Sequence, residues 1–467
     1  MYEKNAIHGL ILQRFNTLFQ KVTYRGVPLS KYVYRRFMSY LNGRPSAEYL
    51  PYLQEALPNT DSSSLYQWLD EPYSFDANSN GVVLMRGGFG DLAVNHLPKE
   101  RIFMICPNQA EVDLIKLNRP DLIAHSIKGY FRDNPAAVRL LNRQIAKIIQ
   151  GNRSDPFFGS PELLKWFESG MPEFVRMLDA VHLLFKGLDV AAVLTISSTY
   201  SMDGALNLVA KANRVPSFTL QHGIIAEEDL YAHVPILATK KLVWGKAMVD
   251  WYRRFGFPES RMAAIGSPRF DIIFNRTWFG KAQLCQKLGI DPHQRLIVYG
   301  ADVLRIEQLV TPVLLEGLQG IPNHFLLIML HPGDNPEPHK QLAAGYPNCK
   351  VVQFGHICFY DALSGADLFI TCYSTAALEA MFFKIPIITV EPFEPTFSYG
   401  RMGVTTRVTN AAELKQAMER LAAEPNLETE AVAKYQRFIA EYCIPDGNAS
   451  QRLFDEVNQL VVTGGTA

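Results

Sequence analysis

The chain has no net charge: Lys+Arg and Asp+Glu both total 46 in 467 residues. No global field therefore favours nucleic acid as a partner. It also lacks paired cysteines. Cys106, Cys285, Cys349, Cys358, Cys372 and Cys443 are scattered, with no C-x-x-C. That argues against a disulfide framework and a zinc site, and predicts free thiols in a reducing compartment. No apolar run approaches the roughly 18 residues needed to span a bilayer. The N-terminus has no short apolar core of a secretory signal. The expected location is the cytoplasm.

What is present describes a soluble globular protein of two or three domains, 48% apolar and 20% charged. Residues 1–80 read as a helical, basic N-terminal extension. Positions 1–45 hold eight cations (Lys4, Arg14, Lys21, Arg25, Lys31, Arg35, Arg36, Arg44) against Glu3, with tyrosines interleaved. Ile7, Leu10, Ile11, Phe15, Leu18 and Phe19 fit an amphipathic helix. One reading is a helical extension packed on the first domain, its charges in water. The other is a surface for an anionic glycan or for peripheral contact with the inner face of the cytoplasmic membrane. Asn59–Asn80 reads as a polar loop.

Residues 81–240 read as a Rossmann-like α/β domain. Val82–Met85 is a buried strand entering the glycine-rich turn Arg86-Gly87-Gly88-Phe89-Gly90. Glycines there permit positive φ and close backbone approach, and Gly87, Gly88 and Gly90 form a candidate acceptor loop. The G-x-G-x-x-G spacing is absent, so no dinucleotide cofactor is expected. Residues 118–185 are mostly helical in pattern. Val190–Ile196 and Pro216–Leu220 read as strands around a helix, and the second ends in Gln221-His222-Gly223. His222 thus falls at a strand's carboxyl edge, where α/β sites lie. Its near-neutral pKa suits a general base. Glu227-Glu228-Asp229 follows, and Glu228 or Asp229 could orient the imidazole or act as the base.

Residues 241–440 read as a second Rossmann-like domain, and 441–467 as a C-terminal helix. The turn Gly266-Ser267-Pro268-Arg269-Phe270-Asp271 reads as the link between sheets. Arg305, His331, Ser374, Thr375 and Glu379 each follow a strand or start the next helix. They can converge on one sheet edge as a nucleotide and phosphate site. Ser374 or Thr375 can N-cap the helix between strands LFIT and PIITV, and Glu379 can accept hydrogen bonds from a ribose diol. The plainer alternatives are a simple cap and a solvated helix residue.

The order Q-H-G, W-G, G-S-P-R-F-D, H-P, Y-S-T-x4-E and D-G-x-A-S resembles the GT-B glycosyltransferase superfamily. Within it, the pattern is similar to capsule polysaccharide transferases and CDP-glycerol glycerophosphotransferase-like proteins. The resemblance covers roughly Val190 to the C-terminus. It implies an α/β fold, GT-B-like, with two doubly wound Rossmann-like domains facing a cleft. It also implies a nucleotide-sugar donor (CMP- or UDP-linked), a glycan or glycolipid acceptor in cell-envelope synthesis, such as capsule or lipopolysaccharide, and no cofactor. His222 matches the proposed base, His331 the donor-phosphate contact, Ser374 and Thr375 the phosphate-binding hydroxyls, and Glu379 the ribose acid. Arg305 matches an arginine of the teichoic-acid enzymes. Cys372 and Glu379 stand where those enzymes carry aspartates. Transfer is expected to be inverting and, because no D-x-D occurs, metal-independent. The rivals are a UDP-GlcNAc 2-epimerase-like isomerase, a CDP-glycerol-type glycerophosphotransferase and a non-catalytic relative that kept the fold.

Overall fold

The computed structural model describes residues 2–44, 73–225, 233–301, 307–331, 334–353, 355–393, 397–424 and 426–466. It divides into two compact units, Met1–Pro268 with Asn448–Ala467, and Arg269–Gly447. Among the described residues, no helix is long and apolar enough to cross a membrane.

The first unit begins with helix α1 (Tyr2–Phe19) and, after a two-residue hairpin, helix α2 (Tyr34–Asn42). Both bury aromatic rings. Phe15 stacks on Phe37 with centroids 3.8 Å apart and lies 6.1 Å from Phe167. This segment is packed, as one of the two readings expects. Lys31 is buried, whereas other charges of the segment pair at the surface. Arg36 donates to both carboxylate oxygens of Glu173, one at 2.8 Å, and Arg25 reaches Asp179 at 2.8 Å.

Seven parallel strands follow. They are β1 (Val82–Arg86), β2 (Ile102–Cys106), β3 (Ile123–Ser126), β4 (Val190–Thr195), β5 (Ser217–Leu220), β6 (Lys240–Val243) and β7 (Met262–Ala264). Their spatial order is β7-β6-β5-β4-β1-β2-β3. Every residue of β2, β4 and β5 is buried, as strands covered on both faces require. Helices α3 (Gln109–Asn118), α4 (Pro135–Gly151), α5 (Pro161–Gly187) and α6 (Ser201–Ala212) connect them. The sheet is doubly wound, and its chain order reverses between β1 and β4.

The second unit holds β8 (Arg295–Gly300), β9 (His324–Met329), β10 (Cys349–Val352), β11 (Leu368–Thr371), β12 (Ile387–Val390) and β13 (Thr406–Val408). They are parallel, in the order β10-β9-β8-β11-β12-β13. The reversal lies between β8 and β11. There the Thr371 hydroxyl donates to the Gly300 carbonyl at 3.1 Å. Helices α7 (Ala376–Phe382), α8 (Ala411–Ala423) and α9 (Asn426–Tyr442) follow β11, β13 and α8. The last helix, α10 (Ala449–Thr463), returns to the first unit. Its Leu453, Phe454 and Val457 join the core around Val83 and Leu194.

Four expectations change. The first sheet does not end near 240: β6 pairs with β5 and β7 pairs with β6, so the passage to the second unit comes at Pro268. The C-terminal helix belongs to the first unit rather than standing apart. The stretch 118–185 contains an edge strand, β3, whose Ile123 and His125 are exposed. The glycine-rich turn is a 3-10 turn, Gly87–Phe89, and its glycines are not among the positive-φ positions. Close packing explains two of them. A Cβ on Gly87 would lie 2.7 Å from Cys106 Sγ, and one on Gly90 2.5 Å from Met104 Sδ. Gly88 has open space around its Cβ position.

Candidate functional site

In the second unit, β8 and β11 part at the reversal point, the usual ligand position in such sheets. A cavity of about 660 Å³ opens there, within the range of small-molecule sites. Its wall carries His331, Ser374, Thr375, Glu379 and Arg269 beside the apolar Leu330, Ile357, Phe359 and Tyr360. Four of the five residues expected to converge here therefore do so. The fifth, Arg305, lies outside the described residues, as do Pro332 and Gly333 after His331.

The turn after β11 differs in detail from a simple cap. Thr375 occupies the N-cap position with helical angles (φ −61°, ψ −13°) and makes no side-chain cap bond. Ser374 Oγ instead accepts the Ala376 amide at 3.2 Å. The helix has seven residues, so the hydroxyls and nearby amides, more than a long macrodipole, set the polarity of its start. Glu379 is not a solvated residue. It is 3% exposed and accepts a hydrogen bond from Arg269 Nη2. A buried carboxylate requires such a partner. Arg269 also hydrogen-bonds the Tyr360 hydroxyl. Burial pushes the Tyr360 phenol up, and the guanidinium opposes that.

The first unit has its own cluster at the β1–β4 reversal. His222 is exposed just beyond β5. Its Nδ1 lies 3.1 Å from the Ile196 carbonyl oxygen. A carbonyl only accepts, so Nδ1 carries the proton and Nε2 the lone pair. The Tyr200 hydroxyl lies 3.4 Å from Nε2, and the Arg35 guanidinium sits 4.0 Å from the centre of the Tyr200 ring. Desolvation, then the Lys241 ammonium and Arg35, hold the imidazole below its ordinary pKa, against the Ile196 bond. Behind it lie two buried groups. Burial pushes the Asp203 carboxyl up to about 7, against its neighbour Arg86 at 3.2 Å. Burial brings Lys241 down to about 7, opposed by Asp203. Lys241 Nζ donates to the Leu220 carbonyl at 3.3 Å. Glu228 and Asp229 lie outside the described residues. Gly87, Gly88 and Gly90 line a separate cavity of about 200 Å³ with Glu111 and Arg119.

Sequence reasoning missed Arg269, Tyr360, Tyr200, Asp203 and Lys241 as site residues. Arg269 read as part of a turn. A usable signal was its place in a proline-fixed turn, where a side chain's direction is set.

Residues 246–459 match the family model of CDP-Glycerol:Poly(glycerophosphate) glycerophosphotransferase. No curated protein matches the chain. Among solved structures, the UDP-GlcNAc 2-epimerase from Neisseria meningitidis bound to UDP-GlcNAc superposes with a TM-score of 0.53 at 11% identity, covering 81% of this chain and 99% of that one. The S. aureus MnaA-UDP co-structure gives 0.52 at 13% identity, covering 82% and 98%. A glycosyltransferase from Rickettsia africae ESF-5 gives 0.50 at 14% identity, covering 82% and 99%. At these identities the structural likeness speaks for the fold. The chain has the GT-B fold and resembles, over residues 246–459, the CDP-glycerol glycerophosphotransferases.

Proposed function

We propose that the protein moves a sugar from a nucleotide-activated donor, CMP- or UDP-linked, to a surface polysaccharide acceptor, with inversion and without a metal. The observation that carries this is the second-unit cavity, which brings His331, Ser374, Thr375 and the buried Glu379 to one edge. Glu379 would accept the ribose hydroxyls, while His331 and the Ser374–Thr375 turn would face the phosphates. The acceptor hydroxyl would attack the anomeric carbon as its bond to the phosphate oxygen breaks. That electron pair leaves with the nucleotide, and the hydroxyl proton passes to His222 Nε2. Fixed donors at the leaving phosphate are the expected source of rate enhancement. The proposal places the protein in the cytoplasm, with peripheral contact with the inner face of the membrane through the basic N-terminus.

A second reading, transfer of glycerol phosphate from CDP-glycerol, is favoured by the family match over residues 246–459. A panel of CMP-, CDP-, UDP- and GDP-linked donors, CDP-glycerol included, separates them by thermal shift, because binding to the native state raises apparent stability. Sugar transfer predicts that a CMP- or UDP-sugar gives the largest shift, and that nucleotide is released only with an acceptor. A dominant CDP-glycerol shift selects the second reading. An altered sugar formed without acceptor means epimerisation. If no nucleotide shifts the transition, the donor site is wrong.

A further inference from the structure

Glu379 leaves a question that the donor reading does not absorb: an acid meant for a ribose already holds a guanidinium. Arg269 supplies it from the turn Gly266–Asp271, and three features show that this arginine is built into place. Gly266 adopts φ +83°, a left-handed turn, and Pro268 opens the 3-10 turn Pro268–Phe270. Phe270 then packs on Phe382 of α7 with ring centroids 5.3 Å apart, and Phe274 does the same at 5.3 Å. The backbone that carries Arg269 is thereby pinned to the helix that carries Glu379.

The side chain of Arg269 is 53% exposed, whereas that of Glu379 is 3% exposed. A guanidinium has five N–H donors in a planar fork. Glu379 and the Tyr360 hydroxyl engage part of it. Arg269 also lines the cavity that carries His331 and Ser374. Such a half-engaged fork is suited to bidentate contact with phosphate oxygens.

We infer that Arg269 recognises the phosphates of the nucleotide leaving group while its pairing with Glu379 holds that carboxylate in place for the ribose. This rests on the donor reading above and assigns a second duty to a residue of the interdomain turn. The prediction is a split between phosphate and nucleoside affinity. The ligands are CMP, CDP, UDP, cytidine and uridine, titrated by calorimetry into the full chain and its variants. Arg269→Gln should weaken the nucleotide that the wild type binds by about 10–100-fold, the worth of charge-assisted hydrogen bonds. The matching nucleoside should change by about threefold or less, because the glutamine amide still donates to Glu379. Arg269→Lys, a point charge without the fork, should fall between. The double variant Arg269→Gln with Glu379→Gln removes both charges, which buried pairs tolerate better than the loss of one. It should keep the wild-type melting temperature within a few degrees and still show the nucleotide loss. Unchanged nucleotide affinity in Arg269→Gln overturns the inference. So does an equal loss for nucleotide and nucleoside, which would confine Arg269 to supporting Glu379. If the wild type binds none of CMP, CDP and UDP, the donor reading itself falls and this inference with it.

Discussion

In the proposed transfer His222 is the base, and its surroundings set a testable pH behaviour. Its pKa is lowered, first by desolvation and then by Lys241. A lowered histidine pKa means the neutral, proton-accepting form persists below the ordinary value of about 6.5. The kcat/KM for nucleotide release should therefore stay level as pH falls through about 6.5 and drop only further down. Lys241→Met removes the cationic neighbour and should move that acid limb upward. His222→Ala should abolish turnover while donor affinity by calorimetry is kept. An acid limb at or above pH 6.5 in the wild type, or turnover in His222→Ala, would sink the base assignment. His222 was legible in the sequence because it follows an apolar strand and precedes a glycine. Lys241 was not: a lysine beside Lys240 reads as solvated. Only the pairing of β6 between β5 and β7 buries it. Asp203 was hidden for the same reason, since a first-turn helical aspartate normally faces water.

Among the elements, α1 and α2 show which of two visible patterns matters. The cations of this segment are conspicuous in sequence, yet the Arg36–Glu173 pair is half-exposed, at 39% and 52%. Exposed pairs contribute about 1 kcal/mol or less. Phe15 is 1% exposed against Phe19, Phe37 and Phe167. Phe15→Ala should cost the first unit about 3–5 kcal/mol, and Arg36→Ala about 1 kcal/mol or less, both by denaturant unfolding. The reverse ranking would mean that charge, rather than the aromatic seam, holds the segment. The amphipathic period of α1 was readable because its buried positions recur at helical spacing. Strand β3 was not readable: Ile-Ala-His-Ser exposes two of its four residues at a sheet edge. The β11–α7–β12 stretch was the most legible element, being two short β-branched runs around a small-residue turn. What it withheld was the partner of Glu379, which is 110 positions away in sequence.

For the molecule as a whole, both passages between units lie near a glycine with positive φ, Gly266 at +83° and Gly447 at +73°. The sequence showed both turns, G-S-P-R and D-G-N-A-S. It did not show that the second leads back into the first unit's core. Amphipathic pattern in α10 reports an apolar face, and the identity of the surface that covers it is a tertiary fact. That return makes the first unit discontinuous and gives the units separable responses. Leu453, Phe454, Val457 and Val461 are at most 1% exposed in the first unit's core, and each buried side chain of this size contributes about 1.5–3 kcal/mol. Ending the chain after Gly447 should therefore lower or abolish the unfolding transition of the first unit. The second unit, Arg269–Gly447, keeps its whole sheet and its cavity. A nucleotide at 100 times its Kd should still stabilise it by about 2.7 kcal/mol. Calorimetry of the full chain should show the nucleotide raising only the transition of the second unit. In the shortened chain that shift should survive. Loss of nucleotide binding on removing α10 would mean that the donor site depends on the first unit, against its placement within a single sheet edge.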